Sequence, residues 1–551
     1  MKALSALVRK AYSHRNFFMR ILLSVLASAL LFSSAALFAS EMPHVEKTPS
    51  GSYRLMVDGQ PFLILGAQVR NSSAWPEQLE KAWPLYKELH ANTAEIPVYW
   101  EVIEPQPGKF DFSSVDRIVD GARKNNLRLV LLWFATWKNG EMDYVPQWVK
   151  DDSAQFPRMR DRAGDQIRVL TPISETTRNA DAKAFAALMR HLKEVDSEQH
   201  TVIMMQVENE PGSLESDRDY SPEANKLFAG AAPGKLIQAL KKKPGTWLEA
   251  FGPEEANEAF AANYISTYIN AVAAAGKAEY PLPMYVNCWL RERKTFERPG
   301  DAYPSGGATS NVLDLWKANT PSLDAIAPDN YVLDYVGYRD ILRKYSRPDN
   351  PLFVPETMLG PLSARYMFYA IGEYHSLSFA PFGLDARVTA DSGIKQEDVF
   401  GGLAANFKLF APAVGEISKL QQKNAIKVAV EEDQITDLWL PFAKFDSVVT
   451  FGTPKPGYGG LFGTATKNRT GRAMVAEVAP DEFLICGFDS LVRFMPRRGS
   501  ELRKAQFLSA EEGSYVDGKW QTSRLLNGDE VFFGIFFPAE GKWVKVKLKA
   551  Y

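Results

Sequence analysis

Residues 201–212 read TVIMMQVENEPG, an apolar run that stops abruptly in Glu208, Asn209, Glu210, Pro211 and Gly212. Val202, Ile203, Met204 and Met205 suit a strand buried on both faces, as parallel strands are, and the Pro-Gly pair ends it. Carboxylates therefore stand at the C-terminal edge of the strand. In a closed barrel of parallel strands, that edge is where reactive groups collect.

Outward from this stretch the chain alternates strand and helix. Short apolar runs at 62–67, 93–99 and 127–134 precede it, and runs at 282–288, 325–331, 352–356 and 376–381 come after. Helical patterns at 76–90, 181–195 and 254–275 lie between them. Eight such alternations close a barrel rather than an open sheet, so the expected class is α/β, a (β/α)8 TIM barrel. After about residue 420 helical periodicity gives way to short alternating segments at 473–478, 482–487, 531–538 and 543–548, with the Gly-rich GYGGLFG between. That pattern predicts a smaller C-terminal all-β sandwich or jelly roll. The expected division is 1–40 signal peptide, 41–419 barrel and 420–551 sandwich.

Composition bounds the function. Lys and Arg number 64 against 66 Asp and Glu, a formal charge of -2, so nothing points to nucleic acid or another polyanion. Two cysteines, Cys288 and Cys486, fall in different expected domains and read as buried free thiols. Six histidines show no ligand spacing, so no metal and no cofactor is expected, and a Ser-His hydrolase has little to build on. Arg9, Lys10, Arg15 and Arg20 precede the apolar run ILLSVLASALLFSSAALFA at 21–39. This order predicts a secretory signal cut near Ala39, hence export to the periplasm or beyond with no membrane span in the mature chain. An uncleaved anchor is the rival reading, since the run is just long enough to cross a bilayer.

A second carboxylate completes the chemistry. Residues 351–356 read PLFVPE, an apolar run that again ends in an acid, and Pro355 cannot donate to a ladder, so the strand must finish or bulge there and aim Glu356 into the opening. Strands four and seven lie across a barrel from each other. Two carboxylates roughly 5 Å apart are the arrangement for retaining glycoside hydrolysis. At an effective dielectric near 20 their repulsion is about 3 kcal/mol, roughly two pKa units, so one stays protonated. That proton is assigned to Glu210 as general acid beside a sugar hydroxyl, leaving Glu356 ionised as nucleophile. Residues 206, 208 and 210 share a strand face by alternation, so Glu208 competes with Glu210 for the role.

The run IPVYWEVIEPQPGKFDF at 96–112, QVENEPG at 206–212 and FVPET at 353–357 resemble the (β/α)8 glycoside hydrolases of clan A, and within them family 35 β-galactosidases. The family pattern at strand four resembles Gln-Val-Glu-Asn-Glu-Tyr-Gly, matched here except that Pro211 replaces Tyr. The resemblance covers about residues 60–385 and alone prefers Glu210 over Glu208. It implies Glu210 as acid/base, Asn209 on the 2-hydroxyl and Glu356 as nucleophile. It also implies an oligosaccharide substrate, and its bacterial subgroup with a compact C-terminal β-domain implies galactose on plant cell-wall xyloglucan side chains. Typical members carry Ala-Glu-Trp after strand three, where this chain has Ala135, Thr136 and Trp137, so one galactose contact is missing or supplied elsewhere. Other clan A activities (arabinosidase, mannanase, endoglucanase) and a non-catalytic sugar-binding protein are the alternatives. Tyr331 at the end of strand six is a candidate donor to the nucleophile. Asn287 and Trp289 after strand five and Trp137 after strand three are candidates for the sugar platform. Gln68, Arg70 and Asn71 after strand one are placed to reach sugar hydroxyls, while Glu101 and Glu104 read as structural.

Overall fold

The structure is a computed structural model and describes residues 41–293, 298–388, 396–432, 437–451, 469–516 and 518–551. The expected signal peptide and the GYGGLFG turn lie outside the described residues. Among the described residues, no helix is long and apolar enough to cross a membrane.

Eight parallel strands build the barrel, in chain order Ile64–Gln68, Thr93–Tyr99, Arg128–Lys138, Val202–Asn209, Met284–Trp289, Ala325–Asn330, Glu356–Thr357 and Ser378–Phe379. Each pairs with its neighbour in sequence, and the first also pairs with the eighth. The ring closes between the seventh and eighth through a Thr357–Pro381 bridge and the Phe382 N–H donating to the Thr357 carbonyl at 2.9 Å. This is the expected α/β barrel. Its second, fourth and sixth strands are buried along their whole length because helices cover the outer face.

Two strand ends differ from regular pairing, and both face the mouth. The third strand keeps step with the fourth from Val130 opposite Met204 as far as Trp133 opposite Val207, then jumps to Lys138 opposite Asn209. Several residues of one strand thus oppose few of the other, a bulge that re-aims the third strand's end. The seventh strand is only two residues long, Glu356 and Thr357 beside Asp329 and Asn330, because the prolines before it cannot donate to a ladder.

The C-terminal part holds a six-stranded and a four-stranded antiparallel sheet, beginning at Ile426. One expected strand needs correction. Of residues 531–538 only Ile535–Phe537 pairs, while Asp529–Phe532 is a helical turn. Gly534 separates them with a φ of 109°, and a Cβ there would lie 2.6 Å from the Val492 carbonyl oxygen.

The sandwich shares the barrel's apolar core through Met474, Cys486, Phe488 and Trp543. Arg472 reaches across to the helix Gln396–Phe410, donating through Nε and Nη2 to Asn406 Oδ1 at 2.8 and 2.7 Å, with its guanidinium over Phe488. The Trp543 indole donates to the Leu409 carbonyl at 2.9 Å.

Candidate active site

The fourth strand ends with a break in its side-chain alternation. Glu208 and Glu210 both have positive φ, 63° and 43°. Left-handed backbone at a non-glycine residue costs about 1–3 kcal/mol and persists where its surroundings impose it. The turn beyond is clamped, since a Cβ on Gly212 would fall 2.5 Å from Pro304 Cβ. The reset at Glu208 sends consecutive side chains where a regular strand would not. Glu208 faces the helix layer, while Asn209 and Glu210 both face the mouth.

At the mouth, Asn287 ties three strands together. Its Oδ1 accepts the Glu210 backbone N–H at 2.8 Å, and its Nδ2 donates to Asp329 Oδ2 at 2.8 Å and to Glu356 Oε1 at 3.4 Å. Asn209 Nδ2 also donates to Glu356 Oε1, at 3.5 Å, and the Tyr331 hydroxyl donates to Glu356 Oε2 at 2.9 Å. Lys138 Nζ donates to Asn209 Oδ1 at 2.7 Å, which fixes the amide with its nitrogen toward Glu356. Glu210 and Glu356 keep 7% and 5% exposure, whereas Asn209 and Asn287 are sealed behind them. The charges of both glutamates act on Asp329 and on Tyr331. Burial, followed by the charge of Glu356, holds the Tyr331 phenol well above its usual range and keeps it a donor.

Behind this cluster sits a second acid pair. Glu208 Oε2 accepts the Trp137 backbone N–H at 2.7 Å, and its carboxyl hydrogen-bonds Asp181 on the helix Glu175–Asp196. Asp181 accepts from the Trp133 indole at 2.9 Å, the Thr136 hydroxyl at 2.7 Å and the Tyr268 hydroxyl at 3.1 Å. Burial pushes both acids up, and Glu208, with fewer donors and the Asp181 charge beside it, holds the proton. Thr136, where the resemblance expects a glutamate, is thus spent on Asp181 and offers nothing to a sugar.

The structure gathers Glu210, Glu356, Asn209, Asn287 and Tyr331 as expected from sequence. Trp137 is corrected: its ring is wholly buried, edge-on to Tyr268 at 4.8 Å, because the bulge turns it into the helix layer rather than the opening. Trp289 remains half-buried at the fifth strand's end, beside Asp329 in the ladder. Gln68 is enclosed at the first strand's end, where its backbone stitches that strand to Pro381 and Gly383. Arg70 pairs with Asp385 at 3.3 Å, and Glu104 braces the Trp100 indole at 2.7 Å, a structural role.

Sequence reasoning missed Asp329, Lys138, Asp181 and Glu95. Glu95 is a buried acid on the second strand, held neutral by burial and then by the charge of Glu356. The readable signal was an ionisable residue inside an otherwise apolar parallel strand, as in TAEIPVY at 93–99 and AIAPDN at 325–330. Among the described residues, no group of three or more His, Cys, Asp or Glu is placed to hold a metal ion.

Residues 54–282 match the profile of glycosyl hydrolases family 35, and residues 403–538 match a domain of unknown function, DUF5597. A β-galactosidase of Xanthomonas manihotis is 29% identical over 224 residues, covering 39% of this chain and 34% of that protein. Beta-galactosidase-1-like protein 3 of Homo sapiens is 29% identical over 193 residues, 33% of this chain and 27% of that protein. The chain thus spans about a third or less of these relatives' length. Among solved structures, the β-galactosidase of the psychrophilic Marinomonas ef1 superposes with a TM-score of 0.48 at 10% identity, over 64% of this chain and 60% of that one. Residues 54–282, which contain the QVENEPG strand end, are thus similar to glycosyl hydrolases family 35.

Proposed function

We propose that the protein is a retaining, exo-acting β-galactosidase that uses Glu210 as acid/base and Glu356 as nucleophile. The observation that carries this reading is Asn287, whose one amide binds the backbone of Glu210 and the carboxyl of Glu356 and so holds two distant chain segments together. In the first half-reaction a Glu356 oxygen attacks the anomeric carbon while Glu210 protonates the leaving oxygen, and a glycosyl ester forms. In the second, Glu210 takes a proton from water, the water oxygen attacks the same carbon and Glu356 departs. Two inversions give retention. Asn209, oriented by Lys138, is positioned for the sugar's 2-hydroxyl, and Tyr331 keeps Glu356 in line.

The family 35 match and the β-galactosidase relatives support galactose as the sugar. The long segment between the fourth and fifth strands, with helices Pro222–Ala229, Gly234–Ala239 and Trp247–Glu279, supports a closed pocket and exo action. Arg70, Asn71, Trp75 and Phe382 are among the residues lining a groove of about 960 Å³ at the rim, where Trp75 is 48% exposed and suits the departing saccharide. The C-terminal β-domain supports a xyloglucan-type side chain as substrate, and the basic, apolar N-terminus supports export.

A panel of aryl glycosides tests the reading. The wild type is expected to prefer β-galactosides and to release galactose first as the β-anomer, read by proton NMR. Release of the α-anomer, or no turnover of any β-galactoside, would overturn it.

A further inference from the structure

We infer that Asp329 is a positioning residue for the general acid, sharing the catalytic proton with Glu210. The inference rests on Glu210 being the acid/base and adds a third carboxyl to the reaction centre.

Asp329 lies on the sixth strand, in the ladder between Trp289 and Glu356, and is 1% exposed. Its Oδ2 accepts from Asn287, and its carboxyl is in hydrogen-bonding contact with Glu210. Oδ1 meets no donor among the described residues, which leaves that oxygen to carry a hydrogen. Asn287 therefore holds both members of the pair, Glu210 by its backbone and Asp329 by its side chain. The groups facing Asp329 are Glu210 beyond the fourth strand, Glu356 on the seventh, Lys138 on the third and Tyr331 just past its own strand. The phenols of Tyr285 and Tyr345 and the Cys288 thiol also feel its charge and, raised by burial, stay neutral. Three carboxyls against one ammonium in a space this enclosed cannot all be ionised. Burial first, and then Glu356 and Glu210, push Asp329 well above the usual carboxylate range, with Lys138 opposing.

One proton in the Asp329–Glu210 pair keeps the centre's charge constant through the cycle. In the first half-reaction the proton leaves through Glu210 to the leaving oxygen as the glycosidic C–O bond breaks. At that moment Glu356 loses its negative charge by forming the ester, so the pair ionises as its neighbour is neutralised. In the second half-reaction water gives its oxygen to the anomeric carbon and a proton to Glu210, the ester bond breaks, and the pair again holds one proton. A lone glutamate would balance the charge as well; Asp329 adds a second carboxyl that shares the proton with Glu210 and so sets how firmly Glu210 holds it.

The test is the pH dependence of kcat/KM for Asp329→Asn against wild type, with phenyl and 2,4-dinitrophenyl β-galactosides. The asparagine donates to Glu210 and stabilises its ionised form. The basic limb should fall by a pH unit or more, with a roughly tenfold or greater loss at neutral pH for the phenyl substrate and little for the dinitrophenyl one. Coincident pH profiles, or equal losses on both substrates, would overturn the inference. Asp329→Glu keeps an acid on the sixth strand and serves if the asparagine variant fails to fold. Its basic limb should stay near wild type, and a limb that falls although the carboxyl is present counts against the pair. A wild type inactive on every β-galactoside overturns the β-galactosidase reading and this inference together, whereas an active wild type with an unchanged Asp329→Asn profile overturns only the inference.

Discussion

Two acid pairs sit at the end of one strand, and they differ in what lies on their open side. Glu210 pairs with Asp329, and Glu208, two residues earlier, pairs with Asp181. Both glutamates sit in left-handed backbone, and each meets its partner without an intervening base. Glu208 is wholly buried and accepts the Trp137 N–H, and its partner Asp181 is closed in by Trp133, Thr136 and Tyr268, which leaves no route to a substrate. Glu210 keeps a sliver of exposure, as does Glu356. A shifted carboxyl is therefore not by itself a catalytic one. The difference lies in whether a second acid stands across a gap that a ring can enter.

The largest effect expected to separate the pairs is at the mouth. Glu356→Ala should remove turnover of every aryl galactoside, and Glu210→Ala should cost roughly 10²–10⁴-fold for poor leaving groups and far less for activated ones. Undiminished rates in either variant would erase the distinction between the pairs. Lys138→Met should come next, because Asn209 loses a charge-assisted hydrogen bond worth about 1.5–3 kcal/mol and with it the orientation of its amide. The matching loss is about 10–100-fold in kcat/KM, and it should vanish on a 2-deoxy galactoside if Asn209 serves the 2-hydroxyl.

Behind the mouth the expected effects are on stability. Glu208→Ala strands the Trp137 N–H and Asp181 and should lower the unfolding free energy by about 1–3 kcal/mol, leaving the leaving-group dependence of the residual activity as in wild type. If Glu208→Ala instead behaves like Glu210→Ala, the two positions have been assigned the wrong way round. The smallest effect is one of pH. Glu208 binds its proton more tightly folded than unfolded, so its contribution is fully present below about pH 4, near the unfolded value, and is lost as pH rises toward the raised folded one. Glu208→Gln cannot ionise, and its thermal stability should decline less over that rise. Parallel curves for the two proteins would mean that Glu208 does not titrate there.

The barrel was legible because each strand is an apolar run closed by polar residues, and QVENEPG and FVPET place acids at two such closures. The choice between Glu208 and Glu210 was not legible from alternation, since a positive φ leaves no mark in the letters and reverses the facing of the next side chains along the strand. Trp137 failed for a related reason: a bulge between Trp133 and Lys138 rotates the strand's end, and period-two reasoning has no term for it. Asp329 was in view inside the Asp-Asn-Tyr run, yet only the cross-strand amide of Asn287 gives it a role. In the sandwich, Phe532 and Phe533 looked like strand residues, but their sequence does not show that Gly534 bends the chain past Val492.

The docking of Arg472 and Trp543 onto the helix beyond the eighth strand has a practical meaning. A shortened chain ending near residue 423 would bare the oily wall that Met474, Phe488 and Trp543 now cover, and would leave Asn406 without its cation. The C-terminal sheets thus act as a lid on the barrel's outer flank. Attempts to swap them for another module should fail at folding, before any question of substrate arises.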